Sequence, residues 1–252
     1  MTKKNKISPA LVINSNSSNI DCLNLFFSCM EKYVGVSFFS KIYLFIDSTE
    51  EIFPSYVEVV KYNPEDNFKN QMVKCLNAVE EDFLLYCNED YLFYDEADLK
   101  KAESFLSEMQ NTELSFIKFV HSNLETYQEY KPNLFLIDKQ CENNFSQTLS
   151  FWKTKDFLKI HENCPDSEIG QKGNELGHLE VFAKEVCRDL EISGLCYYNN
   201  EKQRGQCHFD SEIFPHTASA LVKGKWNLSE YYPEIYPLLN SHNIQINTRG
   251  VF

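Results

Sequence analysis

The chain has 252 residues, with 24 Lys+Arg against 37 Asp+Glu and a formal net charge of −13. Its 43 % hydrophobic and 14 % aromatic content is enough for a large packed core, which excludes a disordered chain and a disulfide-stapled mini-protein. So acidic a chain argues against a non-specific grip on DNA or on an anionic membrane, because a phosphate surface calls for a basic one.

In chain order, residues 10–13 form a short apolar run that breaks into the Asn/Ser cluster of 14–19. Between 20 and 33, Ile20, Leu23, Phe26, Phe27 and Met30 recur at helical spacing. Residues 42–46 are fully apolar and end in Asp47-Ser48, and 56–62 is a third strand candidate. Phe68, Met72, Cys75, Leu76 and Val79 mark a second amphipathic helix. Phe83-Leu84-Leu85-Tyr86-Cys87 is another buried strand, ending in Asn88-Glu89-Asp90. Residues 97–109 read as a helix and 114–120 as a strand. The second half is less regular: strands at 133–138, 147–152, 194–198 and 218–222, and helices at 155–161, 174–190 and 229–239.

Continuous apolar runs separated by helices predict an α/β fold: a Rossmann-like, mostly parallel central sheet with helices on both faces. No Pro/Gly-rich linker, repeat or low-complexity segment interrupts it. The expectation is one domain over 1–252, its second half elaborating a site built by the first.

Ligands of open α/β sheets sit beyond the carboxyl ends of the strands. Three such ends turn polar abruptly: Ile13 to Asn14, Ile46 to Asp47, and Cys87 to Asn88-Glu89-Asp90. Turn-forming residues account for the first two equally well. The third is different, because Tyr91-Leu92-Phe93-Tyr94 continues apolar at once. Carboxylates placed between two buried runs are costly unless a cation compensates them. A divalent metal sharing its sites with phosphate oxygens is one such cation. Neither G-x-x-x-x-G-K-S/T nor G-x-G-x-x-G occurs, which removes the main support for P-loop and dinucleotide-binding readings.

This order of strand ends, with a D-x-D-like tripeptide closing the strand at 83–87, resembles the GT-A superfamily of nucleotide-sugar glycosyltransferases. The resemblance covers about 9–100 for the nucleotide-sugar half, leaving about 101–252 for the acceptor side. Residues 145–153, 175–182 and 222–227 look like the acceptor-side strand, the base-bearing helix and the G-K-W element of bacterial and viral polysaccharide transferases. The resemblance implies transfer of a sugar from a nucleotide-diphosphate donor to a glycan or glycolipid hydroxyl, with Mn2+ or Mg2+ as cofactor. Asn14, Asp47, Asn88, Glu89 and Asp90 are the implied donor contacts. Because Asn88 stands where the motif has its first Asp, only Asp90 occupies an expected carboxylate ligand position. Glu89 is expected to face away if the tripeptide is extended, since alternate residues then point to opposite sides.

The leaving diphosphate needs positive charge. Asp90 would supply it through the metal, with His216 as a second ligand and Lys223 and Lys225 as phosphate partners. A solvated Lys-Gly-Lys turn explains the lysines as readily, and a buried or surface histidine explains His216. An inverting transfer also needs a carboxylate base. Glu180 is the first candidate and Glu175 the second, because an acid in the first helical turn is already explained by the dipole. Trp152, Tyr197-Tyr198 and Tyr231-Tyr232 could stack sugars, but core packing accounts for each more simply.

Two other readings stand beside this one. A sugar-phosphate nucleotidyltransferase would carry a Gly-rich, basic loop after the first strand, where this chain has Asn14-Ser15-Asn16-Ser17-Ser18. A non-catalytic nucleotide- or glycan-binding module of the same fold would account for Asn88. The nine cysteines include no C-x-x-C pair and read as small hydrophobes of a reducing compartment. With no apolar run of membrane-spanning length, and only 10–13 as apolar stretch behind the basic start, a cytoplasmic protein is expected, soluble or peripheral at a membrane.

Overall fold

The apolar runs at 10–13, 42–46 and 83–87 become neighbouring parallel strands, and the rest of the molecule is arranged around them. A computed structural model describes residues 7–48, 50–122, 128–137, 139–141, 144–166, 175–204 and 208–252, with the backbone alone for 175–178. The first half runs β1 (Ala10–Asn14), α1 (Ile20–Tyr33), β2 (Lys41–Ile46), β3 (Val57–Lys61), α2 (Phe68–Leu76), β4 (Phe83–Asn88) and α3 (Leu99–Gln110). Then come β5 (Phe116–Lys118), β6 (Gln128–Lys131), β7 (Leu134–Ile137), β8 (Ser150–Lys153), α4 (Thr154–Asn163), α5 (Glu175–Asp189) and β9 (Gly194–Tyr197). Two small hairpins follow, β10 (Gln203–Arg204) with β11 (His208–Phe209) and β12 (Leu221–Val222) with β13 (Lys225–Trp226), and α6 (Leu228–Ser241).

The main sheet is nine-stranded, in the order β3-β2-β1-β4-β8-β5-β9-β7-β6. Strands β3, β2, β1 and β4 are parallel. Antiparallel β8 separates them from the parallel pair β5 and β9, and β7 and β6 complete the far edge in antiparallel pairing. This is an α/β fold with a mixed, largely parallel central sheet flanked by helices.

Period-two alternation decides which face each residue enters. Leu11, Ile13, Ile42, Leu44, Leu85 and Cys87 pack toward α1, α3 and α6, while Val12, Tyr43, Phe45, Leu84 and Tyr86 pack toward α2, α4 and α5. Both faces of these strands are buried, so a one-residue slip would move each side chain into a differently shaped core. Helix α1 buries Cys22, Leu23, Phe26, Phe27 and Met30 along one stripe, as their spacing predicts.

Where the apolar pattern weakens, the elements shrink. The strand expected over 218–222 is reduced to β12, because Ala218 and Ala220 spend their backbone amides on the Tyr231 hydroxyl and the Asp90 carbonyl. The strand expected from 147 begins at Ser150, the preceding residues bending toward α5 and Tyr91. Strand β6 is exposed throughout and shows no alternation to read. The eight cysteines among the described residues are unbridged and buried, and Cys207 lies outside those residues. No helix among the described residues is long and apolar enough to cross a membrane.

Candidate functional site

Parallel register brings the polar strand ends to one edge: Asn14 lies opposite both Phe45 and Asn88. The chain crosses from β1 to β2 on one side and later enters β4 on the other. The loops therefore diverge between β1 and β4, the crevice where open sheets bind ligands. A cavity of about 320 Å³ occupies it, lined by Asn14, Asn19, Phe68, Asn88, Glu89, Asp90, Leu221 and Gly224. A larger hollow of about 520 Å³ lies at the opposite edge, between Asp82-Phe83 and Lys153-Thr154, and is lined by none of the candidate site residues.

The tripeptide does not continue as a strand. The chain turns at Glu89-Asp90, with the Tyr91 amide donating to the Asn88 carbonyl at 3.1 Å. The expected alternation therefore fails, and both acids wall the same cavity instead of Glu89 facing away. Glu89 Oε1 accepts from Asn19 Nδ2 at 2.5 Å. The 217–221 segment holds Asp90 from behind: the Thr217 hydroxyl and the Ala220 amide donate to its carbonyl at 2.8 and 2.9 Å. Ser219 Oγ and the Leu221 amide donate to Oδ2 at 3.2 and 3.4 Å.

Burial, and then the Asp90 charge, push the Glu89 carboxyl up to about 8, with Asn19 and Arg249 offsetting only part of the rise. Burial pushes Asp90 up to about 6 against the bonds from Leu221 and Ser219. Neither acid forms an ion pair among the described residues. Two adjacent carboxylates that disfavour their own charge would be stabilised by a cation between them. Among those residues no group of three or more His, Cys, Asp or Glu forms an all-protein cage. Two hard carboxylates beside Asn14 and Asn88 still fit Mg2+ or Mn2+, which ordinarily take one or two carboxylates and complete their shell with phosphate and water.

His216 is placed differently. It is buried, its ring lies against Tyr91 and Phe93, and Nδ1 donates to the Phe214 carbonyl at 2.5 Å. Burial holds it neutral, down to about 4, and the charged groups acting on it are His208 and Asp210 rather than Asp90.

Lys223 and Gly224 form the corner of the β12–β13 hairpin, both with left-handed backbone, φ 51° and 74°. Two consecutive left-handed residues make the hairpin turn that matches strand twist, and Gly adopts it without strain. Leu221 and Gly224 form the cavity rim, with Lys223 and Lys225 exposed beside them. The sequence reading missed Arg249, which straps this rim down. Its guanidinium pairs with Asp21 and donates to the Ser18 and Gly224 carbonyls at 2.8 and 3.3 Å.

Glu180 Oε1 accepts from the Gln147 amide at 2.8 Å. Tyr91 Oη donates to the Gln147 carbonyl at 2.8 Å, and Tyr86 Oη to Gln147 Oε1 at 2.9 Å. Tyr86 Oη also lies 3.2 Å from Asn88 Oδ1. Glu180 thus stands one residue, Gln147, away from the tyrosines that flank the tripeptide. Glu175 opens α5, and its side chain lies outside the described residues. Asp47 gives both oxygens to Ser17, from the amide at 2.7 Å and the hydroxyl at 2.8 Å, so it shapes the loop after β1. Trp152, Tyr197 and Tyr231 are core residues, whereas Tyr232 is exposed.

The supporting residues that the sequence reading missed, Asn19, Gln147, Thr217, Ser219 and Arg249, reach the site from loops or from the chain end. Only the polar cluster 14–19 offered a signal for any of them.

No family model and no curated protein matches this sequence. Solved structures do match. A UDP-glucose pyrophosphorylase complexed with UDP-glucose aligns at TM-score 0.52 and 8 % identity, covering 94 % of this chain and 99 % of that one. GalNAc-T7 with UDP, GalNAc and Mn2+ aligns at TM-score 0.55 and 8 % identity, covering 77 % of this chain and 43 % of that one. At such identity these likenesses establish the fold alone, one shared by GT-A glycosyltransferases and sugar nucleotidyltransferases.

Proposed function

We propose that the chain is a glycosyltransferase, moving a sugar from a nucleotide-diphosphate donor to a glycan hydroxyl. One domain over 1–252 would hold the donor in its first half and the acceptor in its second. The observation that carries this reading is the Glu89–Asp90 turn, two uncompensated acids in the cavity at the sheet's switch point. A divalent cation bound there would neutralise charge developing on the departing diphosphate.

In this reading Asp90 and Glu89 hold the cation, and Ser219 and Leu221 aim the Asp90 carboxylate. Asn14 and Phe68 border the donor, with Asp47 setting the shape of the 15–19 loop. Lys223 and Lys225 stand at the rim within reach of a diphosphate, and Arg249 keeps the rim in place. Glu180 takes the acceptor proton, oriented by the Gln147 amide. The UDP-bearing structures of similar fold support a nucleotide diphosphate as the donor's leaving group.

Against a nucleotidyltransferase speaks the segment after β1. It has neither Gly nor a basic residue, and Asp47 and Arg249 take up its Ser17 and Ser18.

A panel of nucleotide sugars with Mn2+ or with a chelator tests the reading. Release of a nucleoside diphosphate supports it. Pyrophosphate formed from a nucleoside triphosphate and a sugar phosphate would select the nucleotidyltransferase, and binding without turnover the non-catalytic module. In the active preparation Asp90→Ala should abolish transfer with the fold intact. Glu180→Gln should lower kcat by about 10²–10⁴-fold at nearly constant donor affinity. Normal kcat in Glu180→Gln moves the base elsewhere, Glu175 first.

A further inference from the structure

The surface formed by the second half of α6, from Ile235 onward, and the segment after it carries no acidic or strongly basic side chain. Residues 235–248 include no Asp, Glu, Lys or Arg, in a chain where 24 % of residues are charged. Tyr232 and Tyr236, one helical turn apart, stack with ring centroids 4.9 Å apart and planes 12° apart. Tyr232 is 52 % exposed, while its neighbour Tyr231 is buried in the core. Tyr236 then forms one wall of a cleft of about 310 Å³, whose polar lining is Asn240, Asn243, Gln245 and Asn247.

This chemistry selects its ligand. Each amide offers a donor and an acceptor without net charge, which suits hydroxyl groups that both give and take hydrogen bonds. An anionic or cationic ligand would find no counter-charge in the cleft. An apolar peptide would cover four amides without satisfying them, at a cost for each. Stacked tyrosines add a rigid aromatic platform that loses little entropy on binding.

The cleft also adjoins the candidate active site. Asn247 is two residues from Arg249, a span of about 7 Å at most. Arg249 lines a hollow with Thr248 and Gly224, and Gly224 belongs as well to the wall of the Glu89–Asp90 cavity. Three hollows thus follow one another along the C-terminal segment.

We propose that the amide-lined cleft and the Tyr232–Tyr236 stack bind an uncharged oligosaccharide, at a site separate from the donor cavity. The binding itself stands on the cleft's chemistry; that the ligand is the outer part of an acceptor glycan rests on the transferase reading above.

The test is calorimetric titration of the full chain, without donor, using neutral oligosaccharides and their uronic-acid counterparts. Neutral chains should bind, with little dependence on salt. The double variant Tyr232→Ala/Tyr236→Ala should weaken binding by about tenfold or more, and Asn240→Ala/Asn247→Ala likewise, while Asp90→Asn leaves it unchanged. Amide chemical-shift changes confined to 232–247 in the unmutated chain would support the site even if a variant folds poorly. Absence of neutral-sugar binding, preference for the acidic chains, or loss on Asp90→Asn would overturn it. So would concentration-dependent dimerisation abolished by the tyrosine variants, which would assign the face to a second copy. No turnover is involved, so a chain that transfers nothing can still pass this test, and an active transferase can fail it.

Discussion

Two places in this molecule withdraw acids from water, and they are built in opposite ways. Around Arg204, Asp210 and Glu234 are mostly buried, and the guanidinium bonds both, with Nε on Asp210 at 3.0 Å and Nη2 on Glu234. A third bond runs from Nη1 to the Glu230 carbonyl. The cluster closes on itself and ties the β10–β11 hairpin to α6. At Glu89–Asp90 the acids receive, among the described residues, neutral donors from Asn19, Ser219 and the Leu221 amide, while the nearby Arg249 is committed to Asp21. Acids matched by a side-chain cation hold the structure together. Acids left to each other's repulsion reduce stability, and a bound cation would relieve that cost.

Replacing Arg204 gives the largest expected effect on stability. Arg204→Ala leaves Asp210 and Glu234 without their cation, and breaking a buried pair from one side costs about 3 kcal/mol or more. For a chain of this length that is a fall of about 6–12 °C in Tm. Asp90→Ala, measured beside it, should leave Tm nearly unchanged or raised. A comparable loss in both variants would show that the two acid groups do the same structural work, and the contrast would fail.

The contrast also explains what the sequence could disclose. Strands β1, β2 and β4 were legible because both their faces are buried, so the runs are apolar without interruption; α1 was legible because its buried stripe repeats at helical spacing. That same regularity made the strand ends visible, and with them Asn14, Asp47 and the 88–90 tripeptide. The orientation of Glu89 was not legible, since a turn and an extended segment read alike over three residues. Arg249 was invisible for another reason: its partner Asp21 is 228 positions away, and no local pattern encodes such a contact. The split of the tyrosine pair, Tyr231 inward and Tyr232 outward, follows from a kink. Tyr231 has non-helical backbone at φ −120° and ψ 33°, just before Pro233, and adjacent residues on a helix cannot share one face.

The pH dependence of stability sharpens the comparison further. Glu89 and Asp90 have their folded-state pKa values raised, so the folded chain keeps protons that the unfolded chain has lost. Their contribution to stability therefore falls as pH rises from about 4.5 to about 8, the interval between the ordinary and the raised Glu89 values. Glu89→Gln removes the charge while keeping the shape and an acceptor for Asn19. It should raise Tm at the alkaline end and flatten the slope across that interval. Thermal melts at several pH values check this; a Glu89→Gln variant as pH-dependent as the parent would place the source of the slope elsewhere.

The smallest expected effect bears most directly on what the Glu89–Asp90 turn is for. A cation that binds only the folded chain raises its stability by RT ln(1 + [L]/Kd), about 1.4 kcal/mol at tenfold excess over Kd, or about 3–6 °C here. Protons and the cation compete for the same two carboxylates, so the Mn2+ shift should fade toward pH 5 and still be growing as pH rises through 8. Glu89→Gln and Asp90→Asn should each reduce it, and adding UDP should enlarge it, because diphosphate oxygens complete the metal's shell. Arg204→Ala, although less stable, should show the same shift as the parent at a temperature where both are folded. An equal Mn2+ shift in Asp90→Asn and the parent would mean that the ion binds elsewhere on this acidic chain, and that the turn's two acids are compensated in some other way.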